Sequence, residues 1–285
     1  MTVIDNDIVV PDIAGRAPEG RLAQAWSEFA ESRTAIGALA VVVLLIVLAL
    51  LAPGARSLDG KLYVLGTDDQ GRDMLSAIIY GLRLSLFVGI VTTALALAVG
   101  TSVGIVAAYF GGRVDAVLMR IVDIQLSFPA ILIALILLAI LGKGVDKVVL
   151  ELVIVQWAYY ARTIRSSALV ERRREYIEAA QCLALPRWRI IFRHLLPNAF
   201  PPLIVVATVH VANAIALEAT LSFLGVGVPI TEPSLGLLIA NGYGYMLSGK
   251  YWIAFYPGIA LLIAIVAINL VGDRLRDVMN PRLKR

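Results

Sequence analysis

Long apolar runs separated by short polar segments dominate this chain. The clearest run extends from Thr34 to Ala52 and contains 19 residues without a charge. As an α-helix it would rise about 28 Å, close to the roughly 30 Å of a bilayer's hydrocarbon core. Five more runs follow, at about Leu84–Phe110, Ile121–Leu141, Val148–Tyr160, Ala199–Leu224 and Trp252–Val271. The pattern predicts an all-α integral membrane protein with six transmembrane helices.

Glycines and a proline modify two of these runs. Gly89, Gly100 and Gly104 give the second run a small-residue face on which another helix can pack closely. Pro129 interrupts the third run near its start, because proline removes a helical hydrogen bond.

The fourth run is the least apolar, and the distribution of basic residues decides whether it spans. Lys and Arg favour the cytoplasmic side of a membrane protein. With six spans and a cytoplasmic N-terminus, 18 of the 25 basic residues lie inside and 7 outside. Without the fourth span, 6 lie inside and 19 outside. We therefore predict six spans with both termini in the cytoplasm.

The chain then divides into five parts. Residues 1–33 form a cytoplasmic tail without the pattern of a cleavable signal. Within this tail Leu22, Trp26 and Phe29 recur at a spacing that suits a short interfacial helix, although an unstructured linker is nearly as well supported. The other parts are the first transmembrane helix (34–52), an extracytoplasmic loop (53–83), a five-helix core (84–275) and a cytoplasmic C-terminal tail (276–285).

Composition supports a membrane protein and argues against several functions. The chain is 59% hydrophobic and 16% charged, with a mean hydropathy of +0.83, which is unusual for a soluble domain. Cytoplasmic basic loops account for the net charge of +4, so we predict no nucleic-acid partner. The single cysteine, Cys182, excludes an intramolecular disulfide and any multi-cysteine metal site.

Several polar residues fall within the predicted spans. A charge at the bilayer centre costs about 2.5–3.5 kcal/mol on insertion scales, so such residues normally face a bundle interior or a cavity. They are candidates for a translocation path or for the interface with a second subunit, and the alternative is that they hold helices together by hydrogen bonds. Those residues are Glu151, Gln156, His210, Asn213 and Glu218.

A basic, amphipathic stretch separates the fourth and fifth spans. We call residues 171–198 the basic segment, and the charge distribution places it in the cytoplasm. Its pattern predicts two short helices that meet at a bend near Pro186. The expected apolar stripes are Tyr176, Ile177, Ala180, Leu183 and Ala184 on the first helix and Trp188, Ile191, Phe192 and Leu195 on the second. The segment is either a docking site or an interfacial hairpin whose arginines meet lipid phosphates, and its physical chemistry favours neither.

The chain has no nucleotide-binding motif of its own. Residues 244–251, GYMLSGKY, have the glycines and the lysine of a P-loop but end in Tyr251 instead of the magnesium-binding hydroxyl. Asp68, Asp69 and Asp73 surround Gly71 without the distal glutamate of a calcium loop, so we expect them to shape the turn into the second span.

Several motifs together resemble one known family. The basic segment, with Glu178-Ala179-Ala180 and a closing Leu196-Pro197, is similar to the EAA loop of ABC-importer permeases. The second-permease branch of the dipeptide, oligopeptide and nickel importers also resembles this chain in LGTDDQGRDMLSAIIYGLRLSL (65–86), GGRVDAVLMRIVDIQLSFPAILIAL (111–135), EATLSFLGVGV (218–228) and RLRDVMNPR (274–282).

The resemblance implies a fold, partners and site residues. The fold would be that of a type I ABC importer permease in the inner membrane, with no enzymatic activity in this chain. The partners would be a second homologous permease in a heterodimer, two cytoplasmic ATPases that bind ATP and Mg²⁺, an extracytoplasmic substrate-binding protein and membrane lipid. The chain itself would bind no cofactor or metal. The ATPase-coupling residues would be Glu178, Ala179, Ala180 and Ala184, and by contiguity Arg187.

One position departs from the family pattern. The EAA loop usually has glycine where this chain has Ala184, and Pro186 stands at a place that is more often polar. Glycine adopts a left-handed backbone freely, whereas alanine does so only at a cost. The shape of the bend is therefore the least secure part of the resemblance.

The sequence is also compatible with other substrates and other functions. Peptides are the expected substrate, and the same architecture could import nickel or another small solute. An ion-coupled secondary transporter would use Glu151, His210 and Glu218 for protons or a coupling ion. A membrane scaffold or enzyme comes last, because no nucleophile, base and orienting group stand at a recognisable spacing.

Overall fold

The computed structural model describes residues 29–51 and 65–279, and all regular elements in these ranges are helical. This confirms the predicted all-α class. The helices are α1 (Arg33–Leu51), α2 (Met74–Phe110), α3 (Gly112–Ser127), α4 (Ala130–Leu141), α5 (Val145–Glu171), α6 (Glu175–Cys182), α7 (Arg187–Arg189), a π-helix (Ile190–Leu195), α8 (Leu196–Ala199), α9 (Pro201–Phe223), α10 (Leu235–Tyr243), a 3₁₀ turn (Met246–Ser248) and α11 (Trp252–Met279).

Within the described residues, helices occupy each of the six predicted spans, the third with two helices, and they differ in apolar character. On length and composition alone α2, α9 and α11 can cross a membrane, and α3 with α4 would make a fourth span. The helix α1 coincides with the first predicted span. The helix α5 has 27 residues, about 40 Å, and is long enough to cross. Its polar residues are tolerated because much of α5 is buried against other helices. The predicted interfacial helix lies outside the described residues, apart from Phe29, which packs against Ala35 and Val278.

The third predicted span is not one helix. The helices α3 and α4 meet at an angle of 91°, and the bend lies at Phe128 and Pro129. Phe128 is extended, with φ −96° and ψ 141°, because a residue before proline is pushed out of the helical region. At 12 residues, α4 rises only about 18 Å and is shorter than the hydrocarbon core. The third run is therefore broken beside Pro129, as the sequence predicted, and it crosses the membrane only if α3 and α4 together make one bent span.

The turn before α2 is built by aspartates. Asp68 accepts hydrogen bonds from the Gln70 and Arg72 backbone N–H groups, and from Arg72 Nε at 2.6 Å. Asp73 caps α2 by accepting from the backbone and the hydroxyl of Ser76, at 3.0 and 2.6 Å. The structural role predicted for these two aspartates is confirmed. No such contact supports Asp69, whose buried Oδ1 has no partner among the described residues.

The helices α2 and α5 pack most closely, at two glycines. A Cβ atom added to Gly100 would lie 2.6 Å from Cβ of Tyr160, and one added to Gly104 would lie 2.9 Å from the carbonyl carbon of Ala161. Both distances are shorter than van der Waals contact, so the backbones approach as the glycine pattern predicted. Gly89 makes a similar contact with Ile215 of α9 at 2.7 Å.

The other long helices surround this pair. Between α2, α4, α5 and α9 lies an apolar cluster that includes Val88, Leu138, Leu152 and Ala214. On the other side of α2, α10 and α11 contribute Leu235, Leu238, Ile253 and Ala264 to a second cluster. The α2–α5 pair therefore lies at the centre of the described bundle.

We expect Gly100→Ala to lower the free energy of unfolding by about 1–3 kcal/mol, because the added methyl group overlaps α5. Gly258→Ala, on α11, is a matched control, since a Cβ there meets no atom within 4 Å. It should be neutral or raise stability by roughly 0.5–1 kcal/mol through helix propensity. Thermal unfolding of the detergent-purified chain, followed by circular dichroism, measures both, and equal stability of the two variants would contradict the close contact.

Candidate functional site

The basic segment folds into two helical pieces that meet at a bend. The first piece is α6. The second begins at α7 and continues through the π-helix and α8 to Ala199. Pro186 stands immediately before the second piece, in an extended conformation. The structure thus contains the two short helices and the bend that the sequence predicted.

The bend is a Schellman motif with alanine at the position usually held by glycine. Ala184 has φ +50° and is the only non-glycine residue with positive φ in the described ranges. The Leu185 N–H donates to the Ala180 carbonyl at 3.2 Å and the Ala184 N–H donates to that of Gln181 at 2.9 Å. This pair of bonds defines the motif, and a proline commonly follows it. Ala184 therefore keeps the family-like bend at the energetic cost of a left-handed alanine.

Only part of each predicted apolar stripe is buried. Ile177 and Ala180 of α6 and Leu195 of the π-helix pack against the ends of α2 and α5 at Ile105 and Ile164. Ile191 is buried as well, whereas the remaining members of the predicted apolar stripes are exposed. They are Tyr176, Leu183 and Ala184 on the first piece and Trp188 and Phe192 on the second.

The π-helix explains the second stripe. An α-helix brings residues i, i+3 and i+4 to one face, whereas a π-helix forms i→i+5 hydrogen bonds and shifts the faces. Ile190, Ile191 and Leu195 consequently point to the core. Trp188 and Phe192 are 62% and 63% exposed. An α-helical stripe drawn through Trp188, Ile191, Phe192 and Leu195 mixes the two faces.

The residues predicted to couple to an ATPase lie mainly on the outer surface. Glu178, Ala179, Ala184 and Arg187 are exposed, whereas Ala180 is buried against the core. The Glu178 carboxylate has no hydrogen bond or ion pair with any described residue. It stands in the first turn of α6, where the helix dipole favours a negative charge.

Polar contacts fix the basic segment to the helix ends. Arg172 Nη1 donates to the Ala108 carbonyl at the end of α2, at 3.0 Å. Partial desolvation and the neighbouring Glu171 carboxylate raise the pKa of Tyr176 to about 12, although the residue is 40% exposed. The Tyr176 hydroxyl donates to Glu171 Oε2 at 2.8 Å. A two-point ion pair between Arg165 and Asp115 also joins α5 to α3.

Three of the five polar candidates within the spans lie around one cavity. The cavity has a volume of about 400 Å³ and lies between α5 and α9, with Ala130 at its edge. Gln156 on α5 and His210 and Asn213 on α9 line it. The sequence thus selected three side chains that the fold brings together.

The two glutamates do not line this cavity. Glu218 is fully buried and accepts hydrogen bonds from Ser85 of α2 at 2.9 Å and from Ser222 at 2.8 Å. It therefore holds α9 to α2, which is the packing role considered for it. Glu151 is also fully buried, and neither of its carboxylate oxygens has a hydrogen-bond partner among the described residues.

Sequence reasoning missed two polar side chains at the cavity. Tyr159 and Thr220 complete its polar lining. Tyr159 lies three residues after Gln156, and Thr220 lies seven after Asn213, so helical spacing from the predicted residues could have found both. The Thr220 hydroxyl donates to the Ala216 carbonyl of its own helix at 2.7 Å.

Comparisons with known proteins agree with this arrangement. The family model described as binding-protein-dependent transport system inner membrane component matches residues 100–285. A dipeptide transport system permease protein of Haemophilus influenzae is 34% identical over 288 residues, covering 94% of this chain and 97% of that protein. A putative peptide transport system permease protein of Brucella abortus is 40% identical over 285 residues, covering 96% and 95%.

A solved structure shares the fold. One chain of the MetNI methionine ABC transporter in an inward-facing conformation matches with a TM-score of 0.59 at 22% identity. The match covers 72% of this chain and 97% of that chain. The described bundle therefore has the fold of a type I importer permease.

We expect Ala184→Gly to stabilise the bend, because glycine adopts positive φ without the roughly 1–2 kcal/mol cost of an L-residue. Hydrogen exchange at the Leu185 amide should slow about fivefold or more, since 1.4 kcal/mol corresponds to a factor of ten. Ala179→Gly is the control, an exposed position inside α6. Glycine should weaken the helix there by about 0.5–1 kcal/mol. Faster exchange in both variants would contradict the left-handed conformation of Ala184.

Proposed function

Because this chain belongs to the family of binding-protein-dependent transport system inner membrane components, we propose that it is one permease subunit of an ABC importer that carries peptides across the cytoplasmic membrane. The names of the relatives support a peptide substrate. The mechanism is supported mainly by Glu178, which is exposed, has no ion-pair partner among the described residues and stands on a helix that packs on the ends of two bundle helices.

The partner at the basic segment is an ATPase subunit. No stretch of the sequence is a complete P-loop, so ATP and Mg²⁺ bind to partner subunits. The exposed surface of α6 presents Glu178 and Ala179, and a basic groove on the ATPase would receive them. Small Ala179 lets the partner's surface approach the helix backbone closely. Arg187 lies beyond the bend and is a weaker candidate for the same contact.

Movement of α6 would reach the cavity through α5. Ile177 and Ala180 pack with Ile164 and Ala168 of α5. Gln156, which lines the cavity, lies twelve residues before Ala168 on the same helix, about 18 Å away. The close packing of α2 against α5 at the glycines makes α5 stiff. A displacement of α6 would therefore be transmitted along α5 to the cavity, because close-packed interiors transmit displacement. Closure of two ATPases would therefore tilt the wall of the cavity.

The cavity suits a substrate rich in amide groups. Asn213 offers a carbonyl acceptor and two N–H donors, and His210 and Tyr159 add further polar atoms, whereas the amide atoms of Gln156 are buried and have no hydrogen-bond partner among the described residues. None of the named lining side chains carries a fixed charge. Such a surface can hydrogen-bond a peptide backbone without binding it tightly, so selection among peptides belongs to the extracytoplasmic binding protein.

A second permease subunit would cover the open side of this cavity. Asn213 and Thr220 are exposed in the isolated chain although they lie on the membrane-spanning α9. The Thr220 hydroxyl is satisfied within its helix, but an amide facing lipid would lack partners at a cost of several kcal/mol. A homologous permease in a heterodimer would form the other wall and enclose a polar path.

We expect Glu178→Lys to abolish most ATP-coupled peptide uptake, because it reverses the charge that we propose meets the basic groove of the ATPase. Glu175→Lys is the matched control. Glu175 is an exposed glutamate on the same helix, and its replacement should leave most of the uptake. Uptake of a labelled dipeptide by the complete transporter in proteoliposomes, with added ATP, measures both. Wild-type uptake by Glu178→Lys, or uptake by this chain alone on an ion gradient, would overturn the proposed mechanism.

We expect Asn213→Leu to slow peptide uptake by about tenfold, since loss of a hydrogen bond to a polar partner costs about 1–1.5 kcal/mol. Basal ATP hydrolysis should persist, because the substitution is remote from the basic segment. Thr220→Val is the control at the same cavity, since its hydroxyl is already bonded within α9. The two variants are compared by uptake and phosphate release from the same proteoliposomes. An unchanged uptake rate in Asn213→Leu would exclude this residue from the path.

A further inference from the structure

A second cavity opens at the end of the bundle that carries the basic segment. Its volume is about 400 Å³, more than ten times the roughly 30 Å³ that a water molecule occupies in the liquid. Tyr109 and Phe110, the last residues of α2, form one wall. Arg172, Gln181 and Arg187 supply the polar side. The cavity therefore lies between the end of α2 and both pieces of the basic segment.

The charges around this cavity are not balanced. Arg172 uses one N–H for the Ala108 carbonyl, and its other N–H groups have no partner among the described residues. Arg187 is exposed, and no described residue pairs with it. The sequence from Ala184 to Asn198 contains no Asp or Glu. The nearby Glu171 is already engaged by Tyr176 and lies 3.7 Å from Arg174. Two guanidinium groups whose donors are not all occupied by described residues stand beside one opening and can bind an anion, and the oxygens of a phosphate match their geometry.

The position of the cavity relative to the membrane indicates whether it would bind a lipid phosphate or a phosphate in solution. The helix α2 is an apolar spanning helix, and Tyr109 and Phe110 are its final turn. Ile190 and Leu195 pack against Ile105 and Ala108 of the same helix end. The second helical piece therefore lies against the last turns of a membrane span and not far out in the solvent.

Exposed aromatic side chains lie at the same end. Phe110, Trp188 and Phe192 are 49%, 62% and 63% exposed, and Arg189 stacks on the Trp188 ring with 5.6 Å from Cζ to the centroid. Aromatic rings beside arginines are typical of a helix in the headgroup region. An ATPase would instead meet the acidic, outer surface of α6. The combination of aromatic rim and free guanidinium groups points to lipid.

We propose that this cavity binds the phosphate of an anionic phospholipid of the cytoplasmic leaflet, with Arg172 and Arg187 as its ligands. Trp188 and Phe192 lie among the headgroups beside it. The bound lipid joins the end of α2 to both pieces of the basic segment, so it steadies the surface that receives the ATPase. The proposal rests on the cytoplasmic placement of the basic segment and not on the identity of the transported solute.

Native mass spectrometry of the full-length chain in detergent tests this site. Dioleoylphosphatidylglycerol and dioleoylphosphatidylcholine are titrated separately, and the dissociation constant of the first bound lipid is measured for each. We expect phosphatidylglycerol to bind about tenfold more tightly, because the choline cation of phosphatidylcholine offsets the attraction of its phosphate to the two guanidinium groups. Arg187→Gln should remove most of that preference, because it removes one of the two positive charges. Arg187 is exposed, so the variant should fold.

Arg113→Gln is the matched control, because Arg113 follows the same end of α2 but does not line the cavity. The Arg113→Gln variant should keep the preference for phosphatidylglycerol over phosphatidylcholine. Equal binding of the two lipids, or an equal loss in both variants, would overturn the proposal. Displacement of phosphatidylglycerol by millimolar inorganic phosphate would identify a site for free phosphate and not for lipid. Unchanged lipid preference in Arg187→Gln, with weakened capture of the ATPase by the complex, would assign Arg187 to the ATPase contact instead.

Discussion

The close approach of α2 and α5 at Gly100 and Gly104 is the contact on which the rest of the described fold depends. No side chain separates the two backbones there, since an added Cβ would overlap Tyr160 or Ala161. The adjacent ends of these two helices form an apolar surface on which Ile177 and Leu195 pack. The same pairing fixes α5, which presents Gln156 and Tyr159 to the cavity. The basic segment and the cavity between α5 and α9 thus both depend on one close-packed helix pair.

Local sequence patterns predicted what local physics controls. The apolar runs predicted the helices, and the glycines of the second run predicted its close contact. A bend beside Pro186 was predicted because a few adjacent residues determine where a helix begins and ends. Helix geometry added what the sequence patterns did not contain. Pro129 was expected to interrupt the third run, and the extended Phe128 beside it turns the chain by 91° and leaves α4 too short to cross alone. The π-helix similarly placed Trp188 and Phe192 outside a stripe drawn for an α-helix.

Contacts between distant residues were beyond the reach of sequence patterns. Glu218 was one of five polar candidates, and nothing near it in the sequence named Ser85, which lies 133 residues earlier, as its partner. The same limit explains why Gln156, His210 and Asn213 were found individually but their shared cavity was not. Buried polar residues in a membrane protein can be located by their solvation cost. The fold alone determines which of them meet.

The hydrogen bond between Ser85 and Glu218 also joins a helix that is synthesised early to one that is synthesised late. During synthesis α2 enters the membrane well before α9, so the Ser85 hydroxyl is already in place when the glutamate arrives. A hydrogen-bond partner already in the bilayer lowers the free-energy cost of inserting a helix that carries a carboxyl group. Without that partner, the carboxyl group would have no hydrogen bond in the hydrocarbon core. A circular permutant that made α9 before α2 would contain every contact of the folded protein and would lack this help at the moment of insertion. The order of the helices along the chain is therefore part of how the bundle forms.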